Sequence, residues 1–240
     1  MATHWVIDAL AEIVAPTRCA GCERCGTVLC DSCMAKVELY ATQKLCPRCA
    51  APYGRLVCTE CNDEEFSFTG TVSCGLLADE LARAVVIYKD GFERRLGTVF
   101  GDLLAGRLAL RIAAGLDEPF DIVTWIPPTK RALNRRGFDH AGILAVHVAR
   151  CFDVPFEQVL IRSPMRDLRT LSRADRALEV QASYRFDEDM LREGASPIAG
   201  KRILLVDDVF TTGATLEGAT TLLLDVDAAS VRCAVIARTW

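Results

Sequence analysis

The 240-residue sequence has no uninterrupted apolar run of about twenty residues, so no transmembrane helix is expected. Its first residues, Met1 to Asp8, carry no basic segment, and Asp8 and Glu12 interrupt the apolar residues around them. A secretory leader is therefore not expected there. Excess positive charge is also missing: the formal net charge is −4, which argues against binding nucleic acid through bulk charge. These absences point to a cytoplasmic chain with no membrane insertion. A reducing compartment in turn makes disulfides a poor explanation for the twelve cysteines.

The residues around Ile203–Thr215 also lack two familiar phosphate-binding signatures. They contain no lysine, so they are not a Walker A loop. Only Gly213 and Gly218 lie near, short of the three spaced glycines of a dinucleotide fingerprint. What is present is an apolar run, Ile203-Leu204-Leu205-Val206, then Asp207-Asp208-Val209-Phe210, then Thr211-Thr212-Gly213-Ala214-Thr215. Four apolar residues in a row fit a strand buried on both faces of a parallel sheet. The acid pair is expected to end that strand, and the helical pattern begins near Ala214. Backbone N–H groups and hydroxyls of Thr211, Thr212, Gly213, Ala214 and Thr215 can converge on one anion at the helix N-terminus. Two carboxylates beside a phosphate repel it unless they do another job, such as accepting hydrogen bonds from two neighbouring sugar hydroxyls. The stretch thus specifies a ribose 5-phosphate at the carboxyl end of a parallel strand.

Nine of the cysteines fall between Cys19 and Cys61. Eight of them form four C-x-x-C turns: Cys19/Cys22, Cys30/Cys33, Cys46/Cys49 and Cys58/Cys61. Two such turns complete one tetrahedral Zn²⁺ shell, so eight ligands suffice for two structural zincs. Cys22-x-x-Cys25 is also a legal knuckle; Cys19/Cys22 is preferred because it leaves a loop before Cys30. Few large apolar residues lie between the knuckles, as expected of a module held by metal. Asn62-Asp63-Glu64-Glu65 is a polar break, which divides the chain into an N-terminal helix plus double zinc ribbon at 1–62 and an α/β domain at 63–240. Cys74, Cys151 and Cys233 stand alone in apolar surroundings and read as small core residues.

Along the second part, strands are expected at Thr71–Ala78, Phe120–Ile126, Val154–Ile161 and Val231–Ala237. Helices are expected at Asp79–Lys89, Glu93–Ala114, Asp139–Cys151 and about Ala214–Leu224, and one more over residues 4–15. His140 and His147 are assigned to the packing of their helix. Past Pro127-Pro128, which stops the Phe120–Ile126 strand, comes a basic loop, 129–138. It holds Lys130, Arg131, Arg135 and Arg136, an anion site beside the sugar phosphate. Arg162, Arg166, Arg169, Arg173 and Arg176 mark a candidate lid over 162–176.

The order of these three elements resembles the ComF-type (competence/GntX-like) proteins of the type I phosphoribosyltransferase superfamily. The carrying residues are the paired cysteines from Cys19 to Cys61, the segment Pro127…Arg135-Arg136-Gly137-Phe138, and Leu205 through Thr215. The resemblance implies a Rossmann-like fold, a parallel sheet flanked by helices, preceded by the Cys-rich zinc ribbon. It implies phosphoribosyl pyrophosphate with Mg²⁺ as ligands, and transfer of the phosphoribosyl group to a nitrogen nucleophile with release of pyrophosphate. Asp207 and Asp208 match the acid pair on the ribose hydroxyls, and Thr211–Thr215 match the 5-phosphate loop. Lys130, Arg131 and Arg136 fall on the pyrophosphate side. In some members the resemblance also implies a part in DNA uptake, with single-stranded DNA or a helicase-type protein as partner. A non-catalytic scaffold or sensor that keeps the phosphoribosyl pocket is the alternative. The sequence departs from the family pattern at Trp125-Ile126-Pro127-Pro128, at Asp139-His140, and at Leu168 and Glu179, all on the side that would choose the nucleophile.

Overall fold

The structure, a computed structural model, describes residues 16–41, 45–54, 56–162, 183–190 and 196–240. Its strands are β1 (Thr71–Leu76), β2 (Ile122–Trp125), β3 (Leu160–Arg162), β4 (Tyr184–Phe186), β5 (Arg202–Phe210) and β6 (Ser230–Arg238). Four of them form one parallel sheet in the order β1-β6-β5-β2. A parallel bridge from Phe156 to Val123 extends it outside β2. The expected strand at Val154–Ile161 is therefore split. Its first part only bridges β2, and its last residues enter β3, which pairs antiparallel with β4.

Continuous apolar runs give the sheet two buried faces, as a parallel sheet with helices on both sides requires. In β5, Leu204 and Val206 join Val72, Cys74, Val123, Trp125, Ala234 and Ile236 on one face. Ile203 and Leu205 join Ile122, Cys233 and Val235 on the other. The first face is covered by the helices Asp79–Asp90, Leu96–Ala113 and His140–Phe152, through Leu81, Tyr88, Phe100, Leu104, Leu144 and Val148. The second is covered by the helix Ala214–Asp225, through Leu216, Ala219 and Leu223. No helix among the described residues is long and apolar enough to cross a membrane.

The Cys-rich segment contributes to both cores. Cys19, Cys30, Cys33 and Val37, the last from the helix Asp31–Ala41, pack with the first face. Cys46, Cys49, Cys58 and Cys61 pack with the second. Residues just after the polar break seal the junction: Ser67 donates from its N and Oγ to Glu217 at 2.8 and 2.6 Å, and the Thr69 N–H to the Val231 carbonyl at 2.8 Å.

Three local expectations are corrected. The acid pair does not end its strand, because β6 continues to pair with β5 as far as Phe210 opposite Arg238. The basic stretch at 129–138 is not an open loop: residues Lys130–Arg136 form a short helix. The Thr129 hydroxyl caps its start by accepting from the Ala132 N–H at 3.0 Å, and the left-handed Gly137 closes its end. Cys151 is exposed on the outer face of its helix rather than buried. The expected helix at 4–15 and most of the expected lid, with Leu168 and Glu179, lie outside the described residues.

Candidate functional site

The acid pair sits where the sheet steps down. β2 stops at Trp125, opposite Val206, and the Ile126 N–H donates to the Val206 carbonyl at 3.0 Å before Pro127-Pro128 ends the pairing. Asp207 and Asp208 therefore emerge beyond the carboxyl end of β2, the position where open α/β sheets hold ligands.

Two side chains meet there on Asp208, which is buried. Lys89 Nζ, from the last turn of the Asp79–Asp90 helix, lies 2.8 Å from Asp208 Oδ2, and His140 Nε2 contacts the same oxygen. Arg136 Nη1 stands 3.4 Å from His140 Nδ1. A guanidinium only donates, so Nδ1 accepts and the ring proton lies on Nε2, aimed at Asp208. The buried Tyr88 hydroxyl fixes the start of that helix by donating to the His140 carbonyl at 2.7 Å. Asp139 caps the same helix, accepting from the Gly142 N–H at 2.9 Å and from Trp125 Nε1 at 2.8 Å.

The two neighbouring carboxyls are driven apart in acidity. Burial pushes Asp207 well above the ordinary carboxylate range, and the Asp208 charge pushes it further. Burial acts upward on Asp208 as well, but the His140 hydrogen bond and the Lys89 ammonium outweigh it and hold Asp208 down at about 2. The site thus presents one firmly ionised carboxylate and one carboxyl that resists ionising, a division set by environment.

Beyond Phe210 the chain turns through Thr211 and Thr212, both exposed, into Gly213. Gly213 has φ of +84°, and a Cβ there would lie 2.8 Å from Phe210 Cζ and 3.0 Å from Phe66 Cε1. Only glycine fits both the left-handed backbone and that contact. The helix Ala214–Asp225 starts at once, with the Thr212 hydroxyl accepting from the Ala214 N–H at 3.4 Å. The only acid of its first turn, Glu217, is turned to Ser67. The Thr211 carbonyl is held by Arg238 Nη1 at 2.9 Å.

The predicted basic residues divide. Arg136 is half-buried and joins the His140–Asp208 chain of contacts, with its Nε 3.4 Å from Asp90 Oδ1. Lys130 and Arg131 are exposed in the first turn of the Lys130–Arg136 helix.

The eight predicted cysteines gather as two groups of four. In each group, Cys19/Cys22/Cys30/Cys33 and Cys46/Cys49/Cys58/Cys61, the sulfurs lie within 4.8 Å of one another. Cys25 belongs to neither; it is exposed and its backbone bridges Arg18. The Cys30 N–H donates to Cys19 Sγ at 3.3 Å and the Cys58 N–H to Cys46 Sγ at 3.4 Å, the outer-shell bonds that orient thiolate ligands. Burial, then the neighbouring sulfurs, push the Cys33 and Cys61 thiols far up. A central cation reverses that penalty, so the donor set suits a Zn²⁺ in each group.

Lys89 and His140 are the residues that sequence reasoning missed at the acid pair. A lysine closing a helix next to Asp90-Gly91, and a histidine one residue past a cap, were the available signals.

This arrangement matches a known domain. The phosphoribosyl transferase domain family covers residues 132–239, which includes His140, the acid pair and the turn after it. Residues 132–239 are thus similar to a phosphoribosyl transferase domain. Over a longer span it is 26% identical to DNA utilization protein YhgH of Escherichia coli strain K12, across 216 residues, 88% of this chain and 90% of that protein. It is 27% identical to Competence protein ComFC of Bacillus subtilis strain 168 across 204 residues, 82% of this chain and 78% of that protein. Among solved structures, the glutamine phosphoribosylpyrophosphate amidotransferase of B. subtilis, complexed with ADP and GMP, aligns at 24% identity and a TM-score of 0.37, covering 58% of this chain and 25% of that one. The similarity to these relatives therefore extends into the chain before residue 132.

Proposed function

We propose that the protein binds phosphoribosyl pyrophosphate with Mg²⁺ and transfers the phosphoribosyl group to a nitrogen nucleophile. The observation that carries this reading is the placement of Asp207 and Asp208 past the end of β2, directly before the glycine turn that opens the Ala214–Asp225 helix. In this reading Asp207 and Asp208 accept the two ribose hydroxyls. Thr211, Thr212, Gly213, Ala214 and Thr215 hold the 5-phosphate on backbone N–H groups and hydroxyls. Lys130, Arg131 and Arg136 face the pyrophosphate.

In the reaction, the C1–O bond to pyrophosphate breaks and its electron pair leaves with the pyrophosphate. The nucleophile's lone pair forms the new C1–N bond, and its proton passes to solvent. The chain's own work is positioning and electrostatics: the acids hold the ribose, and Arg131 and Arg136 stabilise charge growing on the leaving group. When bound, Mg²⁺ would neutralise charge on the pyrophosphate, and Asp207 and Asp208 would be the acids placed to hold its coordinated waters. The eight clustered cysteines would hold two structural Zn²⁺ ions, four thiolates to each.

A second reading has one observation in its favour. Lys89 and His140 both engage Asp208 Oδ2, so a ribose hydroxyl arriving at the same carboxylate shares it with those partners, a coupling suited to a sensor that changes state on binding. Such a protein acts on single-stranded DNA or on a helicase-type DNA-uptake partner, in keeping with relatives named for DNA utilization and competence.

One experiment separates the two. The full chain is incubated with phosphoribosyl pyrophosphate, Mg²⁺ and a panel of nitrogenous bases and amines, with pyrophosphate release as the readout. Release that disappears in Asp208→Asn supports transfer. Binding by calorimetry without release for any acceptor supports the sensor. Unchanged affinity in the Asp207→Asn/Asp208→Asn protein refutes both.

A further inference from the structure

Two turns along the helix that carries His140, a second cluster of reactive side chains faces outward. His147 and Cys151 are four residues apart and share one helix face. Asp102 reaches them from the neighbouring Leu96–Ala113 helix. One oxygen, one nitrogen and one sulfur, from Asp102, His147 and Cys151, lie within 4.8 Å of one another. His147 Nε2 and Asp102 Oδ1 are 2.7 Å apart. The set is open to solvent: the Asp102 side chain is 66% exposed and Cys151 is exposed, while the His147 side chain is 25% exposed.

The histidine is built into its position. Gly101 lies directly beneath the imidazole, and a Cβ there would stand 2.5 Å from His147 Cδ2 and 2.7 Å from its Cγ. Any larger residue at 101 would push the ring away, so the bare glycine lets the imidazole lie against the neighbouring helix beside Asp102. A ring wedged in this way keeps its rotamer, which is the preorganisation a ligand site needs.

We propose that Asp102, His147 and Cys151 form a third metal site, for an exchangeable divalent transition-metal ion of the Zn²⁺ or Co²⁺ kind. Bonds of roughly 2.0–2.3 Å to N, O and S ligands set tetrahedral donors about 3.3–3.8 Å apart, wider than the 2.7 Å between His147 and Asp102 and inside the 4.8 Å that bounds the whole set. Rotation of the exposed Asp102 and Cys151 side chains suffices to adjust both spacings. The mixture of thiol and imidazole with a carboxylate selects against Mg²⁺ and Ca²⁺. Three protein ligands leave one position for water or an exogenous ligand, unlike the closed four-cysteine groups. The plainer arrangement is a surface hydrogen bond between His147 and Asp102. It gives Cys151 no part, and that difference is testable.

The test uses the full chain with its two four-cysteine groups saturated with Zn²⁺, titrated with Co²⁺ and followed by absorption. The expected result is one further equivalent bound, with thiolate-to-cobalt charge transfer. Cys151→Ser abolishes that band, and Cys151→Ser and His147→Ala each weaken binding at least ~10-fold. Thermal melts of the Zn²⁺-saturated variants guard against misfolding, since none of these side chains belongs to the core. No further equivalent in the wild-type chain overturns the proposal. A Co²⁺ signal that persists unchanged in both variants reports exchange into the cysteine groups and overturns it equally.

Discussion

Arg238 Nη2 pairs with the Glu60 carboxylate at 2.6 Å, joining the last strand of the sheet to the second cysteine group. The same buried guanidinium donates from Nη1 to the Thr211 carbonyl at 2.9 Å and lies 4.7 Å over the Phe210 ring. One side chain therefore ties the cysteine-rich segment to the first residue of the glycine turn. A fixed guanidinium fork can hold two acceptors at once in a way a lysine ammonium cannot match. Arg238→Met should destabilise the fold by about 1–3 kcal/mol, because it strips a partner from a carbonyl and a carboxylate. It should also weaken phosphoribosyl pyrophosphate binding, since the turn loses its anchor. Glu60→Gln, which leaves the Thr211 bond in place, should cost less on both counts. Thermal unfolding and calorimetry of the two variants check this. Equal ligand affinity in wild type and Arg238→Met would show that the turn does not depend on the tie.

Neighbouring acids should respond to mutation with opposite signs. Asp207 is held above the ordinary carboxylate range by burial and by Asp208, so its ionised form costs stability at neutral pH. Asp207→Asn should raise the melting temperature while removing ligand binding, the trade-off expected at a site kept for function. Asp208 is held at about 2 by His140 and Lys89 against its burial. Asp208→Asn leaves those two partners without their charge and should lower stability by about 1–3 kcal/mol. A melting temperature that falls in both variants would refute the division of roles.

The same shifts fix the pH dependence. The group with a raised folded pKa, Asp207, favours the folded state at low pH and loses that contribution as pH rises through its folded value. The group with a depressed folded pKa, Asp208, contributes above the ordinary carboxylate range and loses its contribution as pH falls toward about 2. Stability should therefore fall less with acid in Asp208→Asn than in the wild-type chain, between the ordinary carboxylate range and about 2. Denaturant midpoints across the acid limb measure this, and superimposable acid limbs would contradict the assignment.

Ile203–Thr215 was legible because each feature is local: a four-residue apolar run, two adjacent acids, and a threonine–glycine turn before a helical pattern. The cysteine groups were legible for the same reason, since a C-x-x-C turn places two sulfurs together whatever lies around it. Lys89 and His140 were not, because they meet Asp208 only through the packing of two helices on the sheet, and neither carries a periodic signal. The extension of β5 to Phe210 depends on pairing with β6, a tertiary event. At Lys130–Arg136 the signals were present in Thr129 and Gly137, but the run of charge drew the reading toward a loop. Cys151 follows Leu144 and Val148 at helical spacing, yet it falls past the edge of the sheet-facing stripe, beside Asp102.

Gly213 offers a direct probe of the turn. Its φ of +84° and the closeness of Phe210 and Phe66 mean that Gly213→Ala carries both backbone strain and a clash. The backbone part alone should cost about 1–3 kcal/mol. Phosphoribosyl pyrophosphate affinity should drop further than stability alone explains, because the N–H groups at the helix start are re-aimed. Gly106→Ala, inside the Leu96–Ala113 helix with nothing within 4 Å of an added Cβ, is the control: it should leave affinity unchanged and raise stability by about 0.5–1 kcal/mol. Tight ligand binding by Gly213→Ala would remove the turn from the site.

Metal removal probes the proposed coupling from the other end. Full metallation should show two structural Zn²⁺ per chain besides any ion at the outer helical cluster. Cys25→Ser should leave both in place, because Cys25 lies outside each group, whereas Cys49→Ser should lose one. Structural zinc binding is itself folding free energy, so loss from the second group should loosen residues 46–61. Glu60 sits in that group, on the short helix Thr59–Asn62, and is paired with Arg238. Cys49→Ser should therefore weaken phosphoribosyl pyrophosphate binding. Cys22→Ser, in the group that packs on the opposite face of the sheet, should lose its metal with a smaller effect on the ligand. Equal loss of affinity in the two variants would mean that the cysteine groups support the fold as a whole and that Arg238 transmits nothing specific from Glu60 to Thr211.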